Sequence, residues 1–151
     1  MSLITDKVFY RALKSNAELD ALVGGRIEST AIPVPEDQFQ NQPVPYILVM
    51  FDGLKNEGWT KDNDYEGDTD KVQIGIEIDA DNREQLGTIA QMVRQTVQSF
   101  FLNYTPPSDP KAEDLTPLIP DAYNFSAGEV DYDPEKPCFY QTLFYECDTN
   151  P

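Results

Sequence analysis

The sequence predicts an α+β fold: a single antiparallel or mixed β-sheet packed against two α-helices, in one domain spanning residues 1–151. Three observations predict it. Residues 71–79, Lys-Val-Gln-Ile-Gly-Ile-Glu-Ile-Asp, alternate without a break, which is the period of a half-buried strand. Residues 86–101 instead place Leu86, Ile89, Ala90, Val93, Val97, Phe100 and Phe101 at three- and four-residue steps, the period of an amphipathic helix. At 151 residues the chain has the length of one domain, and no internal repeat, heptad pattern or low-complexity tract divides it.

Taken in order, the first helical signal runs from about Thr5 to Val23, with Val8, Phe9, Ala12, Leu13, Leu19, Leu22 and Val23 on one stripe. Ser15 and Glu18 read as a Ser-x-x-Glu capping box, so a break and restart near Lys14 is expected. Gly24-Gly25 supplies the left-handed stop, and residues 26–30 read as a short strand. Residues 31–45 carry four prolines and read as an extended connection. Tyr46 to Phe51 is apolar at every position, as in a strand covered on both faces, by its own core on one side and by a neighbour or another subunit on the other. A charged, turn-rich excursion is expected from Leu54 to Asp70, followed by the alternating strand with Val72, Ile74, Ile76 and Ile78 toward the core. Asp81 or Asn82 caps the long helix. Residues 106–121 form an acidic, proline-rich loop. Tyr123, Phe125 and Ala127 alternate, a bulge is expected across Gly128 to Val130, and Phe139 to Glu146 closes the sheet.

Composition removes whole classes of function. The chain holds 27 acidic and 11 basic residues, a formal charge of −16, and no histidine. Ser-His-Asp and Cys-His nucleophilic sites and His-ligated zinc are therefore excluded. A surface this acidic repels phosphates, so protein partners are expected rather than nucleic acid or an anionic membrane. The longest apolar run is six residues, far from the roughly 20 that cross a bilayer. The amino terminus turns polar at Thr5-Asp6-Lys7 before an apolar run of signal-peptide length, which predicts a chain that stays where it is made. Cys138 and Cys147 have opposite parity on one strand, so no disulfide between them is expected.

Candidate chemistry is sparse. Asp62, Asp64, Glu66 and Gly67 match the first, third, fifth and sixth places of a calcium loop, but the twelfth is Gln73 and the exit helix is replaced by a strand. Asp62, Asp64 and Glu66 are thus weak metal candidates, in the millimolar range at most, within a stretch that otherwise reads as a solvated hairpin. Glu77, Asp79, Asp81, Glu129 and Asp131 lie near strand ends, and nothing in the sequence selects a pair for acid–base work. Trp59, alone in a polar loop, either packs on its own sheet or marks a subunit contact. No cofactor is called for. The residues alone describe an acidic α+β assembly module, not an enzyme, with a carboxylate-based divalent-metal-binding module or enzyme as the alternative.

Ala21-Leu22-Val23-Gly24-Gly25-Arg26-Ile27, Pro45-Tyr46-Ile47-Leu48-Val49 and the strand–helix run from Val72 to Val97 follow one another in an order that resembles a known family. It is that of the tail-terminator, or tail-completion, proteins of long-tailed, lambda-like bacteriophages and prophages. The resemblance implies a ring, usually of six subunits, that caps the tail tube and joins it to the head connector, without catalysing a reaction. It implies the chain itself, the tail tube protein and the connector as partners, DNA only as non-adhesive cargo in the lumen, and a place in the virion tail after assembly in the host cytoplasm. Another head–tail joining or minor tail protein is the alternative within that setting. Such a ring needs a heterologous interface, for which Tyr46, Leu48, Met50, Trp59, Arg83 and Arg94 are the candidates. Asp62, Asp64, Glu66, Asp68 and Asp70 are the candidates to face the lumen or the tube.

Overall fold

The computed structural model describes residues 5–30, 43–56, 70–103 and 118–149. Helix α1 (Thr5–Lys14) buries Phe9, Ala12 and Leu13, one stripe of a 3.6-residue repeat. The expected break follows, but it makes a separate helix α2 (Ala17–Leu22), so three helices stand where two were predicted. The cap is Asn16 rather than Ser15: the Asn16 carboxamide oxygen accepts from the backbone N–H groups of Glu18 and Leu19, at 3.1 and 3.3 Å. Ser15 instead turns its hydroxyl back onto the Ala12 carbonyl at 2.8 Å. A free side-chain amide also lets Asn16 donate to Thr96 Oγ1 at 2.8 Å, tying this turn to the long helix. Gly24 and Gly25, at φ 61° and 76°, end the segment as the glycine pair requires.

Six strands follow in one mixed sheet: β1 (Ile27–Ser29), β2 (Tyr46–Asn56), β3 (Asp70–Ala80), β4 (Leu118–Ala127), β5 (Asp131–Asp133) and β6 (Cys138–Thr149). Their order across the sheet is β1-β2-β3-β6-β4, with β5 also on β6. Only β1–β2 is parallel; the other pairs are antiparallel. Strand β2 runs past the expected turn at Asp52-Gly53 and reaches Asn56, because a bulge at Phe51/Gly53, with Gly53 at φ 147°, absorbs the irregularity without ending the strand. Strand β4 likewise begins at Leu118, inside the stretch read as loop. The bulge expected across Gly128 to Val130 is instead a break that ends β4 at Ala127 and begins β5 at Asp131, and the Gly128 N–H donates to the Thr142 carbonyl at 2.8 Å.

Helix α3 (Arg83–Asn103) starts at Asn82, whose side chain accepts from the Gln85 N–H at 2.8 Å while Gln85 accepts from the Asp81 N–H. Leu86, Ile89, Val93, Val97 and Phe101 of α3, all at most 2% exposed, meet Val72, Ile74, Ile76 and Ile78 of β3, each 0% exposed. Phe9, Leu13, Ile47, Val49, Leu143, Tyr145 and Cys147 complete this core. Rings of Phe9, Phe101, Tyr123 and Tyr145 pack at centroid distances of 4.6–5.9 Å at one end of it. Cys138 and Cys147 are buried free thiols. Among the described residues all three helices serve the face of the sheet that carries the β3 isoleucines. The opposite face, which includes Leu48 and Met50, carries no helix among the described residues; the core side of the strand expected to be covered on both faces is thus its helical side.

Candidate functional site

The face without helices is built by the strand alternation that builds the core. Because Ile76 and Ile78 point to the helices, Gly75, Glu77 and Asp79 point away. Register sets Met50, Leu48 and Tyr46 of β2 beside them on one side. Phe144, Thr142 and Tyr140 of β6 lie on the other. Strand β5 adds Asp131 opposite Tyr140 and Asp133 opposite Cys138. The Asp52 carboxylate lies across Gly75, where a β-carbon would displace it.

At the β5 end of this face a polar cluster is pulled together from three elements. The Tyr46 hydroxyl donates to Asp79 Oδ2 at 2.7 Å, and the Cys138 thiol approaches the same oxygen at 3.5 Å. Asp79 is 5% exposed, and its Oδ1 makes no hydrogen bond. Lys136 Nζ sits 4.2 Å from the centre of the Tyr46 ring, buried and likewise without a hydrogen-bond partner. Burial first, then the charge of Asp79, pushes Glu77 up to about 7, against the opposing pull of Lys136. Burial and Asp79 also push the Cys138 thiol up to about 11, so it stays protonated and is no nucleophile at neutral pH. The Tyr46 hydroxyl is raised by burial and by its bond to Asp79. Burial raises Asp52 as well. The arrangement can share a proton between carboxyls and can receive a cation, but it assembles no nucleophile with a base. Among the described residues no three His, Cys, Asp or Glu side chains gather to hold a metal ion. No described helix is long and apolar enough to cross a membrane.

Comparison with known proteins decides the family. The profile of the tail completion protein gp17 family matches residues 7–105, about two-thirds of the chain, from α1 through the end of α3. The chain belongs to the gp17 tail completion family. A chain in the structure titled "Virion of native gene transfer agent (GTA) particle" has the same fold, at 14% identity and a TM-score of 0.55 over 95% of this chain and 92% of that one. Among curated proteins no sequence match is found. This tail completion protein is therefore a structural protein of the phage-tail type, as the order of its elements implied.

Of the residues nominated for contacts in this tail completion protein, Tyr46, Leu48 and Met50 share the helix-free face. Tyr46 is only 7% exposed and is committed to Asp79, whereas Leu48 and Met50 are half-buried. Arg83 and Arg94 lie exposed on α3, and the Arg94 guanidinium stacks 4.2 Å from the centre of the Phe125 ring. Asp70, at the start of β3, is 8% exposed. Trp59, Asp62, Asp64, Glu66 and Asp68 lie outside the described residues. Of the five strand-end carboxylates, the structure joins Glu77 with Asp79 and sets Asp131 near Tyr140. Two acids at i and i+2 on the polar side of an alternating strand were the available signal for that pair. The contributions of Tyr46, Cys138 and Lys136 depend on cross-strand register, which no local pattern encodes.

Proposed function

We propose that the protein is the ring-forming terminator of a long phage tail, capping the tail tube in the virion and joining it to the head connector. The family match over residues 7–105 carries this reading. A subunit whose described helices all lie on one side of its sheet supports it, since a heterologous ring contact needs two different surfaces on one chain. The charge supports the rest: six chains would carry −96, and acids at the lumen would keep passing DNA from adhering. Partners on this reading are further copies of the chain, the tail tube protein and the connector, and assembly takes place in the host cytoplasm.

The test is sedimentation velocity at two protein concentrations, with and without moderate salt and magnesium, followed by negative-stain imaging, alone and after addition to polymerising tube protein. Closed rings that end the tubes are expected. Rings that bind the connector but leave tube length unregulated would point to another head–tail joining role. A chain that neither closes into rings nor stops tube growth overturns the proposal.

A further inference from the structure

We propose that the acidic end of the helix-free sheet face in one copy receives the basic stripe of α1 from a second copy, a head-to-tail contact repeated around the assembly. The inference rests on the ring-forming reading and names its two surfaces.

Lys7, Arg11 and Lys14 fall at i, i+4 and i+7 on α1, one stripe, while Phe9, Ala12 and Leu13 turn inward. The stripe therefore points away from the sheet. Three of the chain's 11 basic residues are gathered there. Arg11 and Lys14, in the last turn, also suit the helix dipole, and Lys14 is held 3.0 Å from Asp20. Lys7 sits in the first turn, where a cation opposes the dipole, so the dipole does not explain the whole stripe.

The sheet face offers the complement. Leu48, Met50 and Phe144 make a half-buried apolar centre. Glu77, Asp131 and Asp133 flank it toward the β5 end, where Lys136 is the one cation among the described residues; Asp52 lies on the other side of Met50, toward the end that carries Lys55 and Lys71, the latter 3.8 Å from Asp148. Asp79, 5% exposed, adds a carboxylate oxygen that makes no hydrogen bond. Two such faces would repel one another, which disfavours a symmetric dimer. A contact between unlike faces instead propagates head to tail and closes when its rotation allows.

The experiment uses charge reversal in the full chain, at exposed positions whose loss should leave far-UV circular dichroism and the thermal midpoint in place. Lys7→Glu with Arg11→Glu reverses the helix stripe; Asp131→Lys at the β5 end, with Asp52→Lys on the far side of Met50, reverses the sheet face. Each pair is expected to weaken assembly at least tenfold in sedimentation velocity. An equimolar mixture is expected to restore it, because each reversed surface then finds its opposite on the other variant. Wild-type rings that persist in either variant, or a mixture that fails to recover, overturn this contact while leaving the ring reading intact. Loss confined to the sheet variant also overturns it, and gives the face to a different basic protein. A wild-type chain that stays monomeric, with and without tube protein, overturns the ring reading and this contact together.

Discussion

One strand, β3, presents two chemistries on its two sides. Toward the helices Val72, Ile74, Ile76 and Ile78 are each 0% exposed and touch only apolar neighbours. Away from them Glu77 and Asp79 crowd two carboxyls beside Tyr46, Cys138 and Lys136. The first side is stabilised by area removed from water, which is non-directional and tolerant of exact pairing. The second depends on a few directed contacts in a half-buried setting, where an unpaired polar atom costs more than a paired one contributes. The difference separates a side held by burial from a side held by directed polar contacts.

The largest test of this contrast is a pair of truncations. Ile76→Ala should cost about 3–4 kcal/mol in urea denaturation, through lost burial and a cavity under α3. Leu48→Ala, on the neighbouring strand β2 but on the helix-free face, should cost under about 1 kcal/mol in the monomer. Equal losses would mean that the helix-free face is packed as a core.

Tyr46→Phe comes next, at about 1–3 kcal/mol, because it removes the shortest bond to Asp79 and leaves a buried carboxylate oxygen with only the Cys138 thiol. A loss below about 0.5 kcal/mol would show Asp79 reaching solvent.

Glu77 should leave a pH signature. Its folded-state value of about 7 lies above the ordinary 4.5, so the folded state binds more protons between those values. Stability attributable to Glu77 is therefore complete below about pH 4.5 and is lost as pH rises to about 7. The loss is about 1–2 kcal/mol after allowance for solvent screening. Glu77→Gln should flatten that part of the stability–pH curve and stabilise the protein at pH 8, read by thermal melts across pH 4–8. The groups facing it are Asp79 and Lys136, with Tyr46, Cys138 and Tyr140 nearby, and a slope that survives in the variant would overturn the assignment to Glu77.

The smallest effect distinguishes two adjacent residues on the helical side. Asn16→Ala should cost about 1 kcal/mol, through the α2 cap and the bond to Thr96, while Ser15→Ala should change stability by about 0.5 kcal/mol or less. The reverse order would restore Ser15 as the cap.

The helical side of the molecule was legible residue by residue. The alternation of 71–79, the three- and four-residue steps of α3, the glycine stop after α2 and the interruption at 128–130 are all local signals, and hydrophobic periodicity reports local geometry directly. Local signals were less decisive where two residues could do the same work. Ser15 and Asn16 are both good caps, and only Asn16 also reaches Thr96, 80 residues away. The end of β2 was misplaced because Asp52-Gly53 reads as a turn, while the bulge that keeps the strand paired to Asn56 is set by β3 alongside it.

By itself, then, the sequence determined the fold class, the core of β3 and α3, the exclusion of histidine chemistry and the order of elements that marks the tail completion family. Each of these follows from composition or from contacts within a few residues. Tertiary structure decided which carboxylates meet, which face of the sheet stays free of helices, and that Tyr46, an apolar-strand residue in sequence, spends its hydroxyl on Asp79. Those outcomes depend on strand order and register between segments 33 to 61 residues apart, such as Tyr46 beside Asp79 and Asp79 beside Tyr140, and such pairings are set only when the whole sheet closes.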